Sequence, residues 1–187
     1  MEYKQRAYPQ FSACGLNCGL CPRYHTVGSS RCPGCAGEGF SDVHPSCGVL
    51  SCSQRKGLQV CFQCEEFPCS RYDGAAQYDS FVTHRNQLRD LGRAKENGMR
   101  AYKAELEEKI RILEQLFQLY DDGRRKSYFC LAVNLLDLSD LKTVMVSLSG
   151  EARSAQSRKE KAAVAVRLFE ILADDRGIAL ELRKKGE

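Results

Sequence analysis

Cys14-Gly15-Leu16-Asn17-Cys18-Gly19-Leu20-Cys21 opens the part of the chain that decides its fold, and Cys32-Pro33-Gly34-Cys35, Cys47, Cys52, Cys61-Phe62-Gln63-Cys64 and Cys69 continue it. These positions hold all but one of the 11 cysteines, the exception being Cys130. Cys18/Cys21, Cys32/Cys35 and Cys61/Cys64 are CxxC pairs. Two intervening residues let both sulfurs reach one tetrahedral ion at ~2.3 Å. Gly19, Pro33 and Gly34 suit tight turns that aim backbone amides at sulfur. One CxxC says little; three, with four further cysteines among them, read as metal binding.

The surroundings favour metal over disulfides. Met1-Glu2-Tyr3-Lys4-Gln5-Arg6-Ala7-Tyr8-Pro9-Gln10 has no apolar core of a signal peptide. No apolar run approaches the ~20 residues of a membrane helix. The expectation is a soluble, cytoplasmic protein without membrane contact, in a compartment that keeps thiols reduced. An odd cysteine count also pairs poorly. Between 14 and 69 the large apolar residues are sparse, too few for burial alone to hold the segment. A structural zinc contributes about 10–16 kcal/mol when its site forms only on folding.

The linear order does not partition the ligands. Two all-cysteine sites use eight of the ten and leave two. Three sites need twelve donors, which His25 and His44 could complete. The expectation is zinc, about two ions, held by Cys14, Cys18, Cys21, Cys32, Cys35, Cys47, Cys52, Cys61, Cys64 and Cys69. An iron–sulfur cluster is the alternative, since thiolate-rich sites suit both. Cys14, Cys18 and Cys21 match the CxxxCxxC pattern of radical S-adenosylmethionine enzymes, but those continue into alternating strands and helices. Here more cysteines follow, and then only helices. The ferredoxin order is absent too, although Cys21-Pro22 carries its proline.

Beyond residue 75 the grammar is helical. Asp79 or Ser80 can cap a segment through Phe81, His84, Leu88 and Leu91, stopped near Gly92. Met99, Tyr102, Leu106, Ile110, Leu113, Phe117 and Tyr120 predict a long amphipathic helix ending at Asp122-Gly123. A segment from Arg125, apolar nearly all round, predicts a buried helix. Ser139 or Asp140 can start another, ending before Gly150. Residues 154–175 predict one with Ala162, Val166, Phe169 and Leu172 on one side, and Ile178 to Lys185 a short last one. The expected fold is thus a small metal-stabilised cysteine-rich N-terminal domain with little regular structure, residues 1–75, and an α-helical bundle, residues 76–187, mainly α overall.

The run from Cys14-Gly15-Leu16 to Phe67-Pro68-Cys69 resembles the family called domain of unknown function 3795. So do Tyr78-Asp79-Ser80-Phe81, Thr83-His84-Arg85-Asn86 and Asp122-Gly123-Arg124-Arg125-Lys126-Ser127-Tyr128-Phe129-Cys130. The resemblance covers about residues 11–148. It implies a metal-binding cysteine-rich domain followed by helices, and it implies no activity.

Other signals are weaker. Gly123-Arg124-Arg125-Lys126-Ser127 puts three positive charges at a helix start, against the dipole, where an anionic partner could meet them. His84, beside Thr83, Arg85 and Asn86, could serve as an acid–base group. Cys130 among Phe129, Leu131 and Ala132 reads as a buried inert thiol. No Ser-His-Asp order, phosphate loop or dinucleotide motif is visible, and a cysteine-dominated set is of the closed, structural kind. These signals lean away from an enzyme. They favour a zinc-binding adaptor module with a protein partner, over an iron–sulfur or thiol redox protein. A nucleic-acid binder is disfavoured by the charge: residues 1–78 hold seven Lys/Arg against six Asp/Glu, and the whole chain is only +4.

Overall fold

A computed structural model describes residues 3–185. Its helices are α1 (Phe40–Val43), α2 (Gly48–Arg55), α3 (Gln87–Glu96), α4 (Met99–Leu119), α5 (Lys126–Leu135), α6 (Leu138–Glu151) and α7 (Arg158–Asp175), and no strand occurs among the described residues. The chain is mainly α, as its periodicity requires. It forms two compact units, Met1–Ala104 with Leu182–Glu187, and Glu105–Glu181. No helix among the described residues is long and apolar enough to cross a membrane.

In the first unit the segment 3–72 is built from turns. Single 3-10 turns sit at Cys18–Leu20, Cys61–Gln63 and Ser70–Tyr72, and only α1 and α2 are helical. Its buried apolar residues are Phe11, Ala13, Leu20, Cys35, Ala36, Phe40, Leu50, Val60 and Tyr72; Ala13, Cys35, Ala36, Phe40 and Leu50 form one cluster, with Tyr3, Cys18 and Cys47 packed against it. Helix α3 buries Gln87, Asp90, Leu91 and Ala94, one face at helical spacing. Two of those four are polar. Asp90 accepts from the Asn17 side-chain amide at 2.7 Å, and Asn17 in turn accepts from the Tyr102 hydroxyl at 2.9 Å. This buried chain of hydrogen bonds fastens the first CxxC turn to α3 and the start of α4. Leu88, on the apolar spacing of the expected segment, is exposed.

One expected helix starts late and runs past Gly92 to Glu96, and another is absent. Residues 79–86 stay irregular and α3 begins only at Gln87. Asp79 accepts from the His84 amide (2.7 Å), the Thr83 hydroxyl (3.2 Å) and the Arg183 amide (2.9 Å). Its carboxylate thus satisfies donors that a helix would have turned to carbonyls. The stretch 178–185 is not helical either: its Arg183 carbonyl accepts from the Asp79 amide at 2.8 Å, so it pairs with the 79 loop.

The second unit buries Leu113, Leu116, Phe129, Leu136, Leu141, Leu148 and Phe169. Helix α5 is buried from Phe129 to Leu135, as its all-round apolar sequence demands. Lys109, itself buried, donates to the Leu136 carbonyl at 2.7 Å and so closes the C-terminal end of α5. Helix α6 begins at Leu138, before either expected start at Ser139 or Asp140, and runs through Gly150. Helix α7 begins with a capping box: Ser157 accepts from the Glu160 amide while Glu160 accepts from the Ser157 amide.

Candidate metal centre

All ten cysteines from Cys14 to Cys69 are free thiols, half-buried except for the buried Cys35. They hang on an N-terminal segment, residues 6–13, that is used as a backbone rail. The Cys35 amide donates to Pro9 carbonyl (2.8 Å), the Gly19 amide to Gln10 carbonyl (2.9 Å) and the Cys61 amide to Ala13 carbonyl (2.8 Å). Three CxxC turns are therefore docked along one short stretch. Arg6 braces it, its guanidinium donating to the carbonyls of Phe11 (2.7 Å) and Gln59 (2.9 Å).

Two of those turns are the same object. Cys18–Leu20 and Cys61–Gln63 are both 3-10, and they close at Cys21 (φ −85°, ψ 135°) and Cys64 (φ −84°, ψ 137°). Each closing amide returns to the first cysteine's carbonyl, at 3.1 and 3.0 Å. Three residues on, the Tyr24 and Phe67 amides return to the Cys21 and Cys64 carbonyls, at 3.0 and 3.1 Å. At the first turn the Arg23 and Tyr24 amides also bear on the Cys21 sulfur. Such N–H donors favour the thiolate, the form that ligates metal.

Glycine is used where backbone must touch backbone. Gly34 of the Cys32-Pro33-Gly34-Cys35 turn has φ +86°, and a Cβ there would lie 2.5 Å from the Pro9 carbonyl oxygen. Gly15 has φ +92°, and a Cβ there would meet the Gln87 carbonyl oxygen at 2.5 Å.

The thiols fall into neighbourhoods. Cys18 has Cys14, Cys21, Cys32 and Cys35 as its charged-state neighbours. Cys61 has Cys14, Cys52 and Cys69. A cavity of about 530 Å³ is walled by Cys52, Cys61, Cys64 and Cys69, with Lys56, Glu66 and Tyr72 also on its walls. Lys56 donates to the Cys64 sulfur at 3.3 Å and pairs with Glu66 at 3.0 Å. Burial pushes the Cys35 and Cys61 thiols up to about 11, and raises Cys14, Cys18 and Cys21 as well. The thiol form is thus preferred where no cation neutralises the cluster.

The donor set fits a thiophilic cation: reduced, half-buried sulfurs on tight turns, with amides aimed at one of them. Among the described residues, the side chains as placed do not bring three or more His, Cys, Asp or Glu groups into a cluster that could hold an ion. The two histidines of this segment have other partners. His25 meets the Gly19 carbonyl at 2.7 Å, and His44 stacks on Phe40 with ring centroids 4.4 Å apart. His84 bridges the Ala75 carbonyl (3.0 Å) and Ser80 (3.1 Å), which fixes the 75–84 loop. Cys130 is buried within α5. At residues 123–127 the backbone is held by acids: Asp121 accepts from the Gly123 and Arg125 amides, and Asp122 from the Arg124 amide. Arg6, Asn17 and Tyr72 were not anticipated, and nothing local in the sequence marks them. Their partners lie on other segments.

Residues 10–74 match the family model described as protein of unknown function (DUF3795). The match takes in every clustered cysteine and ends before α3. No curated protein and no solved structure matches the chain.

Proposed function

We propose that residues 10–74, a domain of the DUF3795 family, bind zinc, about two ions, as a structural element of a binding module. The observation that carries this reading is the docking of three CxxC turns on one backbone rail, two of them with the same conformation. Two alanines and a cysteine are among the few buried apolar residues beneath, so metal would add to what burial supplies. A donor set of thiols, with His25 and His44 engaged elsewhere, favours a closed site over a catalytic one that keeps a position for water. The chain then acts by presenting surface to a protein partner, in the cytoplasm, and not by chemistry at the metal.

The test is elemental analysis with an absorbance spectrum on protein purified without oxygen. About two zinc per chain and a colourless solution support the reading. Iron with a broad visible band would replace it with an iron–sulfur protein.

A further inference from the structure

We propose that the clustered cysteines divide into two four-sulfur sites, Cys18/Cys21/Cys32/Cys35 and Cys52/Cys61/Cys64/Cys69, each for one thiophilic cation, with Cys14 and Cys47 in neither. The second site is the exchangeable one. This division rests on the metal-binding reading above and deepens it.

The two equivalent turns supply one CxxC pair to each site, and backbone hydrogen bonds supply the other half. For the first site, the Cys32 amide donates to the Arg23 carbonyl at 3.0 Å, which lays Cys32 beside the residues that follow Cys21. Cys35 and Gly19 hang on consecutive rail residues, Pro9 and Gln10, so the Cys32/Cys35 and Cys18/Cys21 turns are docked at neighbouring points of the rail. For the second site, Cys52 and Lys56 lie one helical turn apart, and the Lys56 amide donates to the Cys52 carbonyl at 3.1 Å. The Lys56 ammonium reaches the Cys64 sulfur, and Cys52, Lys56 and Cys64 line one cavity. Cys69 returns to the same place: the Tyr72 amide donates to its carbonyl at 3.0 Å, and Tyr72, whose hydroxyl donates to the Cys14 carbonyl at 3.3 Å, lines the same cavity. All four of these cysteines wall the 530 Å³ cavity, while Cys35 of the first site is buried in the apolar core.

The two remaining sulfurs belong to no CxxC pair and do not wall that cavity, although both neighbour Cys35. Cys47 is the N-cap of α2, its sulfur accepting from the Leu50 amide at 3.5 Å, and its own amide is held by the Tyr3 hydroxyl at 2.7 Å. Cys14 shares a hydrogen bond with Ser12 at 3.1 Å. The eight ligand sulfurs do not yet surround common points. Each thiol turns on one torsion with three staggered positions, so a bound ion draws four sulfurs inward over a backbone that is already fixed.

The zinc-loaded wild-type chain is treated with a colorimetric zinc chelator, and the thiols exposed at each stage are trapped with N-ethylmaleimide and located by mass spectrometry. Release in two phases is expected, with the first half of the zinc exposing Cys52, Cys61, Cys64 and Cys69 while Cys18, Cys21, Cys32 and Cys35 stay unlabelled. The double variant Cys14→Ser/Cys47→Ser is expected to keep all its zinc. Adducts at Cys18 or Cys21 in the first phase, a single phase, or lost zinc in that variant overturn the division alone. A chain that takes up neither zinc nor cobalt overturns the metal reading along with it.

Discussion

Gly34 shows how much of this domain depends on single backbone positions. Its φ of +86° is in the left-handed region, where an L side chain costs roughly 1–2 kcal/mol. The added Cβ would also press on the Pro9 carbonyl oxygen, which cannot retreat because Pro9 also accepts from the Cys35 amide. Gly34→Ala should therefore destabilise the zinc-loaded protein by about 2 kcal/mol or more. It should also lower zinc content if the turn is displaced. Urea unfolding followed by circular dichroism measures the first effect, and an unchanged midpoint would show that the turn yields freely. Tyr102 makes a second case. Its hydroxyl donates to the buried Asn17 carbonyl oxygen, so Tyr102→Phe deletes a buried hydrogen bond worth about 1 kcal/mol. Hydroxyl deletion at an exposed tyrosine such as Tyr78 is the control. The glycines were visible in the sequence as turn signals beside cysteines, but the atoms they touch were not. Pro9 and Gln87 lie far along the chain from Gly34 and Gly15, and no local pattern records a long-range contact.

Helix existence was legible because periodicity is a local consequence of burial, and helix ends were legible only where the cap is local too. Helix α4 keeps Tyr102, Leu106 and Leu113 on its buried face, as the spacing of its apolar residues requires. The Ser157/Glu160 capping box lies within four residues of sequence, yet α7 was expected from 154 because the apolar stripe alone was followed. Ser157→Ala should cost about 1 kcal/mol, read from the thermal midpoint; no change would mean the α7 start is frayed in solution. Asp79 shows the opposite situation. Its position reads as a helix cap, but its carboxylate holds a loop and a distant segment instead, so α3 starts only at Gln87 and residues 178–185 are not helical. Burial pushes this carboxyl up, but the His84 and Arg183 amides, the Arg183 charge and the Thr83 hydroxyl outweigh it and leave it below the usual range. A carboxyl lowered by folding stabilises the fold fully above its unfolded value of about 4, and that contribution is lost as pH falls through the lower folded value. Asp79→Asn should thus destabilise more at pH 6 than at pH 3, in paired urea titrations. An equal loss at both pH values would mean that the ionised carboxylate does not carry the contact.

At the scale of the molecule, the two units have different reasons to be folded. Residues 105–181 bury Phe129, Phe169 and a set of leucines, and the helices there bring their own caps. The cysteine segment has five buried residues in its core cluster, two of them alanines, and ten thiols. If zinc supplies the missing stabilisation, removing it should act on one unit and spare the other. Hydrogen exchange of the intact chain with and without a strong chelator separates these cases. Amides of the two repeated turns, such as Cys21, Tyr24, Cys64 and Phe67, should lose protection when zinc is withdrawn, while those of α5 and α7 keep theirs. The rail should follow the turns, because Pro9, Gln10 and Ala13 are acceptors only while the turns are docked. Helix α3 should soften partially: it is tied to the first turn through Asn17 and Asp90 but also keeps Leu91 and Ala94 buried. Uniform loss across the chain would mean that both units unfold as one. Full protection of the turns after chelation would mean that hydrogen bonds and the small core suffice, and metal would then have to serve something other than the fold.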